Sequence, residues 1–367
     1  MSYLALYRRY RPKTFAEVIG QKSIIQTLCN ALATNHVSHA YLFCGQRGTG
    51  KTTVARLLAK AVNCENRKEN EHEPCNQCGS CIEINEGRSL DLIEIDAASN
   101  RGIDEIRELK DGIRFAPVKS KYKVFIIDEV HMLTKEAFNA LLKTLEEPPT
   151  HALFILATTE PEKLPPTIIS RTQRFDFKKL TLNEIISRLK ILAEAEKINI
   201  TPDALKEIAV SAEGSLRDAE SFLDQIISLG YKQIDLDSLE EVLGRVSFSK
   251  IIQFLDYLLQ KDTKNAIIFI SNLYENGVDL INFSRAVLKL ARQIMLIKIN
   301  PQINQIIQDE FTEDQLEKVN QLAQSFPMND LQKLIDSLLK IKEQIKYSPI
   351  QTLPLEMIVI QLCSENK

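Results

Sequence analysis

The sequence predicts an α/β core built on a five-stranded parallel sheet, followed by a small helical part and a larger all-helical part. Three observations predict this fold class. Short apolar runs alternate with helical patterns through the first half of the 367 residues. A glycine-rich loop joins the first run to a helix. After residue 180, only helical patterns remain.

The five apolar runs are the candidate strands. Each is too short for a helix and is apolar on both faces, as expected for strands that are covered on both sides. The helical stretches between them imply crossover connections, which make the sheet parallel. The runs are residues 41–44, 92–95, 124–127, 153–156 and, more weakly, 175–177.

The loop after the first run matches the phosphate-loop pattern G-x-x-x-x-G-K-[ST] at every fixed position. Its glycines let backbone N–H groups point into one concavity, toward which the next helix directs its positive end. Lys51 is expected to reach the phosphates and Thr52 to hold Mg²⁺. A plain glycine-rich turn is the alternative, but the pattern favours binding of a nucleoside triphosphate. The predicted binding residues are Gly45, Gln46, Arg47, Gly48, Thr49, Gly50, Lys51, Thr52 and Thr53.

Two acids follow the third run and supply the second half of a hydrolytic site. Asp128 is predicted to bind Mg²⁺, and Glu129 to orient and deprotonate the attacking water. Acids at a strand end often only cap the next helix, but these follow a phosphate loop at crossover spacing. His131, which completes a helicase-like Asp-Glu-Val-His string, is predicted to be solvated or packed.

Further candidates could sense the terminal phosphate. Thr158 and Thr159 follow the fourth run, where one hydroxyl could bind the γ-phosphate or the attacking water. Arg171, judged by its residue type alone, is more typical of a surface charge. Arg217 lies in a Gly-Ser-Leu-Arg-Asp-Ala string at a helix start and could fold back over the nucleotide.

Four of the seven cysteines cluster with the spacing C-x10-C-x2-C-x2-C. Two-residue gaps let thiolates converge on one ion, which predicts a closed, structural zinc site. The ligands would be Cys64, Cys75, Cys78 and Cys81. Reduced, unliganded thiols are the alternative, and His72 could replace one cysteine. The isolated cysteines are predicted to be buried apolar fillers: Cys29, Cys44 and Cys363.

Helix signals dominate the rest of the chain. Thr181 to Glu184 reads as a capping box, and Thr201-Pro202 begins another helix. Gly244 and the polar residues 247–249 mark a boundary, beyond which an apolar stripe recurs at helical spacing. The predicted domains are residues 1–180 with a zinc module at 64–81, residues 181–243 and residues 244–367.

Composition sets broad limits on the function. The net charge of −3 excludes a global positive field for nucleic acid, so any such contact needs a local patch. Neither a signal peptide nor a membrane span is expected, because no apolar run is long enough. Cysteines grouped for metal rather than disulfides agree with this, and we expect a cytoplasmic protein.

Together, these motifs resemble the AAA+ ATPases, and among them the gamma/tau subunits of the bacterial DNA polymerase III clamp loader. The resemblance covers residues 3–219, and the helical remainder is similar in layout only. Its carriers, besides the motifs above, are Tyr7-Arg8-Arg9-Tyr10-Arg11-Pro12, Val18-Ile19-Gly20-Gln21 and Ser170-Arg171.

The resemblance implies a role for each matching residue. Asp128 and Glu129 would be the Walker B acids, and Thr159, or less readily Thr158, the first sensor. Arg217 would be the second sensor. Arg171 would be an arginine finger that acts on ATP held by the neighbouring subunit. The adenine pocket would be lined by Arg11, Pro12, Val18 and Ile19.

The resemblance also implies partners and cofactors. Residues 181–243 would be the lid and residues 244–367 the oligomerising collar of a hetero-pentamer with delta, delta-prime and further gamma/tau copies. That assembly would grip the sliding clamp and primed DNA, with ATP, Mg²⁺ and structural Zn²⁺ as cofactors. ATP binding would open the clamp, and hydrolysis would release it around DNA. Modules that bind the helicase or polymerase, present in long members, are not expected here.

The contacts with DNA and clamp are less localised. Residues 99–102 precede a helix that carries Arg107, which could hold a DNA phosphate or simply pair with Glu108 or Asp104. Clamp contact is assigned only to residues 128–147. Two rival functions are a branch-migration type of AAA+ motor and a non-catalytic clamp-loader subunit.

Overall fold

The computed structural model describes residues 4–99, 112, 113, 115–231, 233–235, 239, 248–300, 302, 311 and 313–364. Strands β1–β7 are Ala40–Cys44, Leu92–Asp96, Lys123–Asp128, Ala152–Thr158, Gln173–Asp176, Asn199–Ile200 and Gln233–Ile234. Helices α1–α7 are Leu6–Arg9, Lys22–Ala33, Lys51–Val62, Gly79–Asn85, Lys135–Glu146, Pro166–Ile169 and Leu182–Ala195. Helices α8–α15 are Pro202–Ser211, Leu216–Ser228, Phe248–Leu259, Thr263–Glu275, Leu280–Ile299, Glu313–Ser325, Met328–Tyr347 and Leu353–Ser364.

Five strands form one parallel sheet in the order β2-β3-β4-β1-β5. The parallel five-stranded core is therefore confirmed. Because all strands run in one direction, their carboxyl ends share an edge, and β4 ends between β1 and β3. The segments that follow these three strands are thus neighbours, although β1 ends at Cys44, β3 at Asp128 and β4 at Thr158.

Both faces of the sheet are covered, as the apolar runs predict. Tyr41 and Phe43 point from β1 into one core, where they pack with helices α2 and α3. Leu42 and Cys44 point to the other face, where helix α5 packs. The edge strand β2 differs from the expectation, because it is only partly buried and its Glu94 bonds to Arg56.

The weakly indicated fifth strand is real but shifted. It spans Gln173–Asp176 instead of residues 175–177, and in it only Phe175 is buried. Pairing with β1 fixes this register, with Phe43 opposite Phe175. A short apolar pattern of three residues cannot specify such a register, since the partner strand decides it.

The chain forms two compact units, Met1–Ile198 with Leu205–Asp224, and Asn199–Ala204 with Gln225–Lys367. The capping box at Thr181 and Glu184 is confirmed at the start of α7. The second unit contains a two-residue parallel pair, β6 with β7, that helical patterns did not predict. The three-domain division at residues 180 and 243 stays a prediction, and Gly244 and Ser247 lie outside the described residues.

The second unit is otherwise helical in its described part, as predicted. The stripe on α10 buries Ile251, Phe254, Leu255 and Leu258. These side chains share one core with apolar residues of the five helices that follow in the described chain. Across the described residues, no helix combines the length and apolar character needed to span a membrane.

Candidate functional site

A cleft of about 540 Å³ opens at the carboxyl edge of the sheet. Its size is within the range typical of small-molecule sites. The lining residues are Tyr7, Arg8, Arg11, Pro12, Val18, Ile19, Arg47, Gly48, Thr49, Gly50, Lys51, Thr52, Thr53, Asp96, Ala98, Asp128, Glu129, Leu180, Leu216, Arg217 and Glu220. They mix a cationic loop, a pair of acids and an apolar end, which suits a charged group joined to an apolar ring.

The phosphate loop shapes one end of this cleft. Gly48 and Gly50 have φ values of +78° and +100°, in the left-handed region that favours glycine. A Cβ at Gly48 would lie 2.0 Å from the Ser215 hydroxyl oxygen, so only glycine lets residue 215 approach this closely. The amide of Leu216 donates to the Gly48 carbonyl at 3.1 Å. The loop is thereby joined to the segment that carries Arg217.

Lys51 is the buried cation of the loop. Its ammonium group donates to the carbonyls of Gly45 and Gln46 at 2.6 and 3.0 Å. Burial lowers the pKa of Lys51, while the carboxylates of Glu129 and Asp128 act in the opposite direction. Gly45 and Gln46 thus contribute carbonyls that hold the lysine and do not line the cleft.

Two oxygen groups converge where the sequence predicts a magnesium site. The Thr52 hydroxyl donates to the Asp128 carboxylate at 2.8 Å. Both groups are hard oxygen ligands, so the donor set fits Mg²⁺. Asp96 ends the neighbouring strand directly opposite Asp128 in the β2–β3 register and also lines the cleft.

Glu129 is held by a defined set of neighbours. It has a φ of 48°, a left-handed conformation that is uncommon for a residue other than glycine. Its carboxylate accepts from the Thr159 hydroxyl at 2.9 Å and the Thr159 amide at 3.3 Å. His131 is packed, with Nδ1 3.0 Å from the Thr158 hydroxyl and 3.4 Å from the Glu129 carboxylate. Thr159, not Thr158, is therefore the threonine in contact with Glu129.

The opposite end of the cleft is apolar. Pro12, Val18 and Ile19 come from the start of the chain, and Leu180 from far along it. Leu216 also lines the cleft, beside the phosphate loop to which its amide bonds. Arg11 lies at the same end, where burial and then Arg56 lower its pKa. The predicted adenine-pocket residues Arg11, Pro12, Val18 and Ile19 are thus brought together.

Arg217 reaches the cleft from the start of α9. Its guanidinium lies 4.7 Å from the centroid of the Tyr7 ring. Burial favours a higher pKa for Tyr7, but hydrogen bonds from Arg217 and Arg8 lower its pKa overall. The aromatic ring thus holds the arginine beside the phosphate loop.

Arg171 is not among the described residues that line the cleft. It pairs with Glu146 at 2.6 Å and is partly exposed. Its guanidinium also donates to the Thr167 carbonyl at 3.0 Å.

The four clustered cysteines have sulfur atoms within 4.8 Å of one another. Tetrahedral zinc with bonds of about 2.3 Å separates its sulfurs by about 3.8 Å, so the set fits that ion. Burial would raise the pKa of Cys75, but N–H groups of Gln77 and Cys78 help to lower it to about 6. The isolated Cys29 and Cys44 are buried fillers as predicted, whereas Cys363 is half-buried.

Several lining residues escaped the sequence reasoning. Tyr7 begins the motif at residues 7–12, but the sequence gives this tyrosine no role of its own. Asp96 is an acid at a strand end, like Asp128. Leu216 lies in the Gly-Ser-Leu-Arg-Asp-Ala string beside Arg217, whereas Leu180 and Glu220 carry no motif and only the fold brings them to the cleft. The proposed DNA-contact residues Asn100, Arg101, Gly102 and Arg107 lie outside the described residues.

Comparison with known proteins covers nearly the whole chain. Family models match residues 20–181 (DNA polymerase III, delta subunit), 184–232 (DNA polymerase III clamp loader subunit, ATPase lid domain) and 234–367 (DNA polymerase III subunits gamma and tau domain III).

The curated relatives are DNA polymerase III subunits. The chain is 43% identical to subunit tau of Bacillus subtilis over 100% of its own length and 64% of the relative's. It is 38% identical to subunit tau of Escherichia coli over 98% of its length and 55% of the relative's. It thus spans little more than half of these two proteins. Subunit gamma of Buchnera aphidicola subsp. Baizongia pistaciae is 37% identical over 100% of this chain and 98% of the relative.

Solved structures are more distant. A Thermotoga maritima RuvB structure has a TM-score of 0.47 at 20% identity, over 73% of this chain and 86% of that chain. The Bacillus subtilis DNA clamp loader delta protein has a TM-score of 0.41 at 15% identity, over 93% of this chain and 99% of that chain.

Proposed function

The chain belongs to the family of DNA polymerase III gamma and tau subunits, and from this premise we propose that it is a clamp-loader ATPase. It binds ATP, hydrolyses it, and uses the cycle to open a sliding clamp and leave it on primed DNA. The observation that carries the proposal is the cleft in which Lys51, the Thr52–Asp128 pair and Glu129 converge. A non-catalytic subunit would not need all four groups.

The phosphate end supports binding of the triphosphate. The Lys51 ammonium, held in the free chain by two carbonyls, turns to the β- and γ-phosphate oxygens. Thr52 and Asp128 would hold Mg²⁺, which when bound neutralises phosphate charge. The backbone N–H groups of the loop and the start of α3 add a fixed positive field.

Glu129 supports hydrolysis as the general base. Because the Thr159 hydroxyl and amide both donate to it, the carboxylate is held in a fixed orientation. An ionised carboxylate at this edge can accept a proton from water as it attacks the γ-phosphate. Thr159 then serves as the first sensor, because its hydroxyl donates to the base and it follows Thr158, whose carbonyl accepts from the Gly45 amide.

Two arginines complete the charge balance of the reaction. Arg217 leaves the Tyr7 ring and pairs with the γ-phosphate as the second sensor. Arg171 acts on ATP held by a neighbouring subunit. Its partly exposed position beside Glu146, outside the lining of the chain's own cleft, supports this role. A guanidinium supplied in trans typically adds about 10³–10⁵ in rate.

The remaining assignments follow from family membership. Zinc at Cys64, Cys75, Cys78 and Cys81 would be structural, because four sulfurs leave no open position. The partners would be delta, delta-prime, further gamma/tau copies, a sliding clamp and primed DNA held through its backbone. Contacts of that kind give little sequence preference and a strong salt dependence. The protein would act in the cytoplasm.

Replacement of Arg171 tests the proposal in the assembled complex. Turnover of ATP is measured for the isolated chain and then with delta, delta-prime, clamp and primed DNA. We expect stimulation by the full set of partners. In Arg171→Ala we expect unchanged ATP affinity of the isolated chain and loss of about 10³-fold in stimulated turnover.

Two results would contradict this assignment. If clamp and primed DNA give no stimulation, the chain is not the motor of a clamp loader. If Arg171→Ala weakens ATP binding by the isolated chain, the arginine acts within its own subunit. Glu146→Ala is the matched control, because it frees Arg171 without removing the guanidinium.

A further inference from the structure

The cysteine-rich segment is bonded to the apolar end of the cleft. We define the cysteine module as residues 64–85 and the base loop as residues 12–19. The module lies after α3 in sequence, on the side away from the phosphate loop. Its contacts to the base loop are hydrogen bonds made by two of its side chains, Glu73 and Asn76.

Both carboxylate oxygens of Glu73 accept hydrogen bonds from the base loop. One oxygen accepts from the amide of Phe15 at 2.8 Å, and the other accepts from the amide of Ala16 at 2.9 Å. Hydrogen bonds from backbone amides to an ionised carboxylate are about twice as strong as neutral ones. A single side chain therefore fixes two successive peptide groups of the loop.

Asn76 and Lys60 add a second attachment. The Asn76 amide donates to the Lys13 carbonyl at 3.0 Å. The buried Lys60 ammonium donates to the same carbonyl at 2.8 Å and to the side-chain oxygen of Asn76 at 2.6 Å. It also donates to Asn85, at the end of α4, at 2.9 Å. Helix α3, the base loop and the cysteine module thus meet at Lys60.

Both ends of the base loop line the cleft. Pro12 precedes Phe15 and Ala16, the residues bonded to Glu73, and Val18 and Ile19 follow them. Between them, the Phe15 side chain is only 2% exposed and packs in the sheet core. The loop contains no helix or strand of its own, and two hydrogen bonds lie within it, from the Lys13 amide to Glu17 and from the Val18 amide to the Phe15 carbonyl. Its attachment to the rest of the chain depends on Phe15, Glu73 and the contacts at Lys60.

From these contacts we infer that the cysteine module positions the base loop for recognition of the nucleotide base, with Glu73 as the positioning residue. The inference rests on the proposed nucleotide site. The module contributes no atom to the cleft among the described residues. It acts by holding the loop in the shape that receives the base, while the phosphate loop binds the triphosphate independently.

The test distinguishes binding of the nucleotide base from binding of the phosphates. Binding of ATP and of inorganic tripolyphosphate is measured by calorimetry with the full chain. In Glu73→Ala we expect the Kd for ATP to rise about tenfold, as loss of a charge-assisted hydrogen bond implies. The Kd for tripolyphosphate stays within about twofold, because that ligand does not reach the base loop.

Two variants complete the design. Glu71→Ala is the matched control, because Glu71 has the same charge but, in the described structure, its carboxylate accepts only from the Lys68 amide within its own segment. It should bind both ligands like the wild type. Glu73→Gln keeps an acceptor oxygen, and we expect a smaller loss of ATP affinity than in Glu73→Ala. The zinc content of every variant is measured beside binding.

Removal of metal tests the module as a whole. Wild type stripped by a chelator should lose ATP affinity to the level of Glu73→Ala and keep its affinity for tripolyphosphate. The inference is overturned if Glu73→Ala binds ATP like the wild type, or if it loses both ligands equally. It is also overturned if the stripped wild type binds ATP unchanged. Failure of wild type to bind either ligand would instead refute the proposed nucleotide site.

Discussion

Helix α3 carries a buried lysine near each end, and the two lysines differ in what holds them. Lys51 is 6% exposed and bonds to carbonyls five and six positions before it. Lys60 is 2% exposed, and its three acceptors lie 47, 16 and 25 positions away. Burial lowers the pKa of both lysines.

The difference separates a binding group from a structural one. Lys51 lines an open cleft, so its ammonium can exchange carbonyl partners for phosphate oxygens. Lys60 is enclosed by Lys13, Asn76 and Asn85, which occupy its three donors. The phosphate end of the site is thus built by local sequence, and the base end by contacts between distant segments.

The largest expected effect is at the phosphate end. Lys51→Ala removes the cation that meets the β- and γ-phosphates. We expect loss of about 10²–10³-fold in ATP turnover by the assembled complex, as for other preorganised charge-stabilising groups. Binding of ATP and of tripolyphosphate should both weaken. Steady-state turnover and calorimetry measure these two quantities.

The exposed Lys190→Ala provides the control for Lys51→Ala, since both substitutions remove one positive charge. It should leave turnover unchanged. If Lys51→Ala kept its affinity for tripolyphosphate, the phosphates would be bound elsewhere, and the comparison of the two ends would fail.

An intermediate effect is expected at Lys60, near the carboxyl end of helix α3. Lys60→Met leaves the Lys13 carbonyl and two asparagine oxygens without their common donor. The free energy of unfolding should fall by about 2 kcal/mol, the scale of hydrogen bonds made by a charged group. ATP affinity should fall severalfold, whereas tripolyphosphate affinity should not change. Denaturant unfolding and calorimetry would measure these effects, and equal loss of both ligands would contradict the separation of the two ends.

The smallest effect concerns Glu220, which lines the cleft and pairs with Arg188 at 3.1 Å. Burial raises the pKa of Glu220 above the usual 4.5, although Arg188 opposes the shift. The folded chain therefore binds this proton more tightly than the unfolded chain does. As pH rises from 4.5 through the raised pKa, the wild type should lose stability relative to Glu220→Gln.

Unfolding of both proteins by denaturant across this pH range measures the Glu220 effect. The difference in the free energy of unfolding should level off above the raised pKa. A difference that stays constant across the range would show that the carboxyl group does not titrate abnormally in the folded chain.

Sequence reasoning succeeded where chemistry and spacing are local. The phosphate loop, the acids after β3 and the cysteine spacing are short strings, and each is found where the strings predict. Strands β1, β3 and β4 were also predicted, because strands covered on both faces must be apolar throughout. The partly buried β2 and β5 gave shorter or weaker apolar patterns. The exact register of β5 and the β6–β7 pair were not predictable, because their partners lie far along the chain.

The sequence by itself determined the phosphate end of the site, since glycines, a lysine and a helix start need only one another to form an anion cradle. The tertiary structure alone decided the apolar end. There Leu180 lines the same cleft as Pro12, and Glu73 reaches a loop 58 positions before it. The physical reason is that such contacts depend on how the crossovers and helices pack, and no short pattern encodes that packing.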